Sequence, residues 1–145
     1  MNSIETEKIT NSIFFNLICR DGTPEIVSSY LKLYDVDEYT IGTGFDNGCM
    51  FNLDNAKLLY TNYQSACEKY VNSMCFFAKD LVNHNKLDTL LWLKSIDLKP
   101  FIFQIDILFA VLINQKQIEC DGFKLLYEHF NDRFQYLKNT AINNS

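Results

Sequence analysis

Apolar residues recur three or four positions apart over most of this chain, which is the spacing of helices with one buried face. The pattern predicts helices over Ser3–Cys19, from Ile26 to about Tyr34, and over Asp54–Tyr63 and Cys67–Val82. It continues over Lys86–Leu93, Ile105–Ile113 and Ile118–Leu137, and no sheet is expected. Asp21-Gly22 is the expected end of the first helix, because glycine tolerates the left-handed conformation that closes many helices. Thr23 is then the expected N-cap of the second, with Pro24 at its first position and Glu25 in its first turn. Leu98-Lys99-Pro100 is read as a break, since proline cannot continue a helix. From Asp35 to Asn52 the periodicity fades, and Gly42, Gly44 and Gly48 punctuate a stretch too polar for a buried strand. That stretch is read as the one long loop.

Three segments superimpose at a spacing of about 31 residues, a period typical of stacked repeats. Ile13–Cys19 with Gly22–Val27 matches Phe76–Val82 with Asn85–Leu90, two periods on, and Ile107–Ile113 with Lys116–Cys120, one further. In each, an apolar helix ends at a short polar break and a second helix opens with an acid. Stacking such pairs covers apolar faces that one pair alone leaves bare, and Phe14, Leu17, Phe77, Leu81, Leu108 and Leu112 are the expected bridges between pairs. Phe77 and Leu91 are expected to face a neighbouring pair.

Asn85-Lys86-Leu87-Asp88-Thr89-Leu90-Leu91-Trp92-Leu93 resembles the second helix of ankyrin repeats. Gly22-Thr23-Pro24-Glu25-Ile26-Val27-Ser28-Ser29-Tyr30-Leu31 is similar to it too, and Asn52–Tyr60 more faintly. No unit carries the Thr-Pro-Leu-His turn of regular repeats, so the resemblance is to the irregular kind found in large DNA viruses and amoeboid protists. It implies an all-α fold of stacked antiparallel helix pairs. This would be an ankyrin-like solenoid of three to four irregular repeats, with units at about 11–35, 45–64, 74–97 and 105–129 of a single domain, 1–145.

At 145 residues and 48% hydrophobic, the chain suits one domain with a substantial interior. A net charge of −5 without a cluster of Lys or Arg offers no footprint for a phosphate backbone, so nucleic acid is not the expected partner. Five cysteines, an odd number without Cys-x-x-Cys spacing, fit free thiols in a reducing, cytoplasmic setting. Met1–Thr10 lacks an apolar core and the other apolar runs are short of a bilayer span, so neither secretion nor membrane insertion is expected.

Candidate chemistry is sparse. His84 and His129 are the only histidines and neither has a metal-ligand neighbour at the right spacing; His84 is expected to donate to a carbonyl in a helix break. Gly42–Gly48 departs from the Gly-x-Gly-x-x-Gly phosphate loop, and Asp46 and Asp54 do not fit a calcium loop. No Cys-His-Asn constellation can be nominated. No enzyme activity, cofactor or metal is therefore expected. The expectation is a protein–protein interaction module, or alternatively a compact helical modulator that holds a partner helix in an apolar groove, with Ile102–Ile113 as its central helix. The candidate interaction residues are Tyr39, Ile41, Phe45 and Met50, in the stretch Asp37–Asn52. They either tuck back onto the faintest repeat or meet a partner, and tucking back is the favoured of the two.

Overall fold

The computed structural model describes residues 3–143, and among these there are ten helices and no strand. The chain divides into two compact units, Met1–Met74 and Cys75–Ser145. Unit 1 holds α1 (Ser3–Asp21), α2 (Pro24–Leu33), α3 (Glu38–Phe51), α4 (Leu53–Asn62) and α5 (Gln64–Ser73). Unit 2 holds α6 (Phe77–Asn83), α7 (Leu87–Ser95), α8 (Lys99–Asn114), α9 (Asp121–His129) and α10 (Asn131–Asn143).

In unit 1, α1 and α2 meet at the expected break. Thr23 caps α2 by accepting a hydrogen bond from Ile26 N–H at 3.3 Å, and Pro24 opens the helix. Tyr30 then donates its hydroxyl to Asn11 O, so α2 returns along α1. The break itself differs from the expectation, because no glycine in the described residues has a positive φ. Gly22 N–H instead bonds Ile18 O at 2.7 Å, and a Cβ at Gly22 would stand 2.7 Å from the same oxygen. Glycine is used here for close approach.

The largest correction is α3. The stretch read as a long loop is a fourteen-residue helix, capped by Asp37, whose side chain accepts from Thr40 N–H at 2.8 Å. That bond holds the Asp37 carboxyl below its usual range, so the cap is at full strength above the ordinary carboxylate range and weakens as pH falls. Half of α3 is buried, and it packs against α1, α4 and α5. Its three glycines each serve a different neighbour. A Cβ at Gly44 would lie 2.5 Å from the Phe15 ring on α1; at Gly42, 2.6 Å from Tyr70 Cβ on α5; at Gly48, 2.7 Å from the Ala56 backbone nitrogen on α4. Polar pairs seal the contacts: Thr43 Oγ1 donates to Asn16 Oδ1, and Tyr70 donates its hydroxyl to Asp46. Asn55 of α4, fully buried, donates to Cys19 O and Gly22 O, and Asn52 donates to Gly22 O as well, so α4 holds the α1–α2 turn from below.

Unit 2 is built around Phe101, Ile105 and Phe109 of α8, Leu90 and Leu93 of α7, Phe77 and Leu81 of α6, and Leu126 and Phe130. Phe109, Phe123, Phe134 and Tyr127 form a cluster of rings with centroids 5.3–6.4 Å apart in mostly edge-on pairs. Arg133 of α10 makes a bidentate pair with Asp106 of α8, at 2.9 and 2.6 Å. Lys94 of α7 donates to His129 O at the end of α9 and pairs with Asp132 at the start of α10, a cation where the helix dipole favours one.

Pro100 lies in the first turn of α8, so the predicted break is that helix's start. The predicted run Ile118–Leu137 is divided at Phe130, and Cys67–Val82 is divided between α5 and α6. The register also shifts: Phe15 and Cys19 face the core while Phe14 and Leu17 are half-exposed, Leu91 is 39% exposed beside buried Leu90, and Phe109 is buried where Leu108 was expected. Phe77 and Leu81 are buried as anticipated.

A second sequence echo becomes visible once the helices are placed. Asp54, Lys57, Leu58, Leu59 and Tyr60 of α4 recur as Asp121, Lys124, Leu125, Leu126 and Tyr127 of α9. Both helices end alike, with Tyr63 N–H on Leu59 O and Phe130 N–H on Leu126 O, each at 2.7 Å, before a further helix begins at once. Each unit is thus two contacting helix pairs followed by a single helix.

Helices α6, α7 and α8 share another ending. Asn85, Asp97 and Lys116 have φ of 52°, 52° and 58°, and around each the chain makes paired bonds back onto the helix, such as Lys116 N–H to Ile113 O and Gln117 N–H to Leu112 O. Lysine is poorly suited to this backbone region. Lys116→Gly is therefore expected to raise unfolding stability by about 0.5–1 kcal/mol in chemical denaturation, whereas a loss would mean that the side chain itself supports the turn.

Candidate interaction surfaces

The four residues predicted as an interaction site do not form one surface. Ile41 and Phe45 are fully buried in α3, where Phe45 lies 6.3 Å from the Tyr60 ring, and so neither is available to a partner. Met50 is half-buried. Tyr39 is 64% exposed, with its ring 6.2 Å from that of Tyr70. Helix formation explains the division, since four residues spread over three turns point in different directions.

The histidines are placed in ordinary roles. His84 Nδ1 lies 2.8 Å from Asp80 O, so it carries the proton and donates. His129 Nε2 is 3.8 Å from Glu128. Among the described residues no group of three His, Cys, Asp or Glu side chains could hold a metal ion. Asp46 receives the Tyr70 hydroxyl and Asp54 sits in the first turn of α4. Cys19, Cys49 and Cys67 are buried in unit 1; burial pushes the Cys19 and Cys67 thiols up to about 12 and Cys49 well above its usual value. All three are held protonated and are poor nucleophiles. Cys75 and Cys120 are exposed, and Cys120 Sγ caps α9 by accepting from Phe123 N–H.

The surface that sequence reasoning missed lies on α8. This helix is not buried on all sides: Phe101, Ile105 and Phe109 face inward, while Phe103, Ile107 and Val111 follow one another at four-residue steps on the opposite side, 65%, 47% and 40% exposed. Beside the stripe, the C-terminal half of α8 and the length of α10 from Phe134 to Ala141 leave a groove of about 630 Å3. It is lined by Ala110, Ile113 and Asn114 of α8 and by Phe134, Leu137, Lys138 and Ala141 of α10. Both features are apolar side chains left in solvent, at helical spacing, on a scaffold fixed by the Asp106–Arg133 pair. The signal in the sequence was the run 101–113, apolar at nearly every position, which is more than one buried face requires.

Comparison with family models, with curated proteins and with solved structures gives no match for this chain. No helix among the described residues is long and apolar enough to cross a membrane.

The thiols offer a direct check of the packing. Under native, reduced conditions a thiol reagent is expected to label two groups rapidly, Cys75 and Cys120, and all five only in denaturant. Rapid native labelling of Cys19, Cys49 or Cys67 would show that the α1–α3–α5 core opens readily.

Proposed function

We propose that this chain is a non-catalytic protein–protein interaction module made of degenerate ankyrin-like helix pairs, working in a reducing cytoplasmic compartment. The pairing supports the reading. First helices pack together, α1 with α3 and α6 with α8, as do second helices α2 and α4, and each pair is joined by a short turn. The observation that carries the functional reading is the bare apolar stripe Phe103–Ile107–Val111. Large apolar side chains repeated along one exposed helix face are unfavourable unless something covers them, and such patches commonly mark interaction sites.

The groove favours a specific form of this reading. Its mostly apolar walls suit one face of an amphipathic helix, so the partner would contribute a helix with apolar anchors three and four residues apart. This is the helix-holding modulator, moved from a central helix to an open cleft.

The test uses the full chain as bait in extract from its native host, quantified by mass spectrometry against the double variant Ile107→Asp, Val111→Asp. Both positions are exposed, so folding is expected to persist and circular dichroism checks it. Specific partners are expected to fall at least tenfold on the variant. An unchanged partner set would remove α8 as the binding surface.

A further inference from the structure

Units 1 and 2 share a plan, but one contact of that plan is filled in the first and open in the second. In unit 1 the buried side chain of Asn55, in the first turn of α4, donates to Cys19 O at 2.9 Å and to Gly22 O at 2.8 Å, and Asn52 adds a third bond to Gly22 O. The α1–α2 turn is thereby held against α4. In unit 2 the echo of α4 in α9 puts Gly122 where Asn55 stands and Glu119 where Asn52 stands, and neither has a side-chain donor at neutral pH. The place is the same one: a Cβ at Gly122 would lie 3.3 Å from Val82 Cγ1, and Val82 is the repeat's counterpart of Cys19.

What opens there is a cleft of about 750 Å3 between the α6–α7 turn and α9. Helix α2 packs on α4, while α7 and α9 meet less closely. The lining sets apolar Val82, Leu87 and Leu125 beside the exposed α9 side chains Asp121, Lys124 and Glu128, and none of its residues lines the α8–α10 groove. Apolar side chains with a few converging polar groups, at a volume within the roughly 300–1,000 Å3 usual for ligand sites, are the make-up of a binding cleft.

We propose that this cleft binds a carboxamide, the side chain of an asparagine or glutamine on an extended segment of another protein, in the place that Asn55 fills in unit 1. Asn55 itself demonstrates that an amide fits between such a turn and such a helix. The lining suits the same group. A carboxamide is neutral and both donates and accepts, which matches carboxylate acceptors at Asp121 and Glu128 and an ammonium donor at Lys124. A carboxylate ligand would meet the two acids, and a cationic one would meet Lys124. The cleft is larger than one side chain, so the amide arrives with flanking residues, as it does on a protein segment.

The test titrates the isotope-labelled full chain with a blocked tripeptide carrying asparagine at its centre, read by backbone amide chemical shifts. Saturable shifts are expected at residues 82–87 and over α9 in the millimolar range, and binding about tenfold weaker with leucine or aspartate at the centre, where the donor bonds of the amide are lost. Gly122→Asn, which supplies the amide from within the chain, is expected to abolish binding. If that variant loses its helical circular dichroism, Lys124→Ala with Glu128→Ala, both at exposed positions, is expected to keep the fold and weaken binding about tenfold. An asparagine peptide that causes no saturable shift at these residues, or leucine or aspartate peptides that bind equally well, overturns the proposal. So does a folded variant of either kind that binds as the wild type does. A single asparagine blocked at both ends that binds as tightly as the tripeptide overturns a protein segment as the source.

Discussion

The packing of unit 1 depends on how closely three helices can approach α3. Glycine at 42, 44 and 48 brings the backbone of α3 against Tyr70, against Phe15 and Cys19, and against the start of α4, at distances no side chain permits. Each glycine is unfavourable inside a helix by about 1 kcal/mol relative to alanine. What offsets this is the burial that close approach allows: Ile41, Phe45 and Cys49 vanish from solvent, and so do Phe15, Cys19, Leu59 and Cys67 around them. The helix exists because its neighbours hold it, which is tertiary packing overriding local propensity.

Unit 2 solves the same problem with bulk. Its α8 has no glycine; it buries Phe101, Ile105 and Phe109 and joins α10 through the tilted Phe109–Phe134 ring pair and the Asp106–Arg133 pair. Large side chains keep helices further apart than glycine does, and α8 is apolar beyond what its neighbours cover. The consequence is the bare stripe and the groove on which the functional proposal rests. A compact glycine-tuned unit and an aromatic unit with an uncovered helix face thus share one plan of two pairs and a closing helix. The shared Asp-x-x-Lys-Leu-Leu-Tyr of α4 and α9 is its sequence trace.

Much of the helix content was legible because local signals and tertiary packing agreed. Thr23-Pro24-Glu25 starts α2 as its capping chemistry requires, and Leu87–Leu93 carries unbroken helical spacing. The polar breaks at His84-Asn85 and Gln115-Lys116 are real helix ends. α3 was illegible for a definite reason: glycine lowers helix propensity in any local reading, and its benefit lies in residues up to 29 positions away in sequence, on α1 and α5 as well as on the neighbouring α4. Register failed where apolar residues run consecutively. In Ile13-Phe14-Phe15 periodicity cannot choose the inward residue, and the choice is made by Ser12 and Asn16 reaching threonines on α3. The candidate surface was hidden likewise, because a helix apolar all round does not declare which side stays bare.

The most direct test of this account is the unfolding stability of Gly48→Ala. Local propensity favours alanine at an interior helical position by about 1 kcal/mol. The added Cβ, however, would stand 2.7 Å from the backbone nitrogen of Ala56, an atom that cannot swing aside. If close approach of α3 and α4 organises unit 1, urea denaturation will show a loss of about 1–3 kcal/mol. A gain in stability would mean that the glycine is not needed for packing, and would contradict the account at its base.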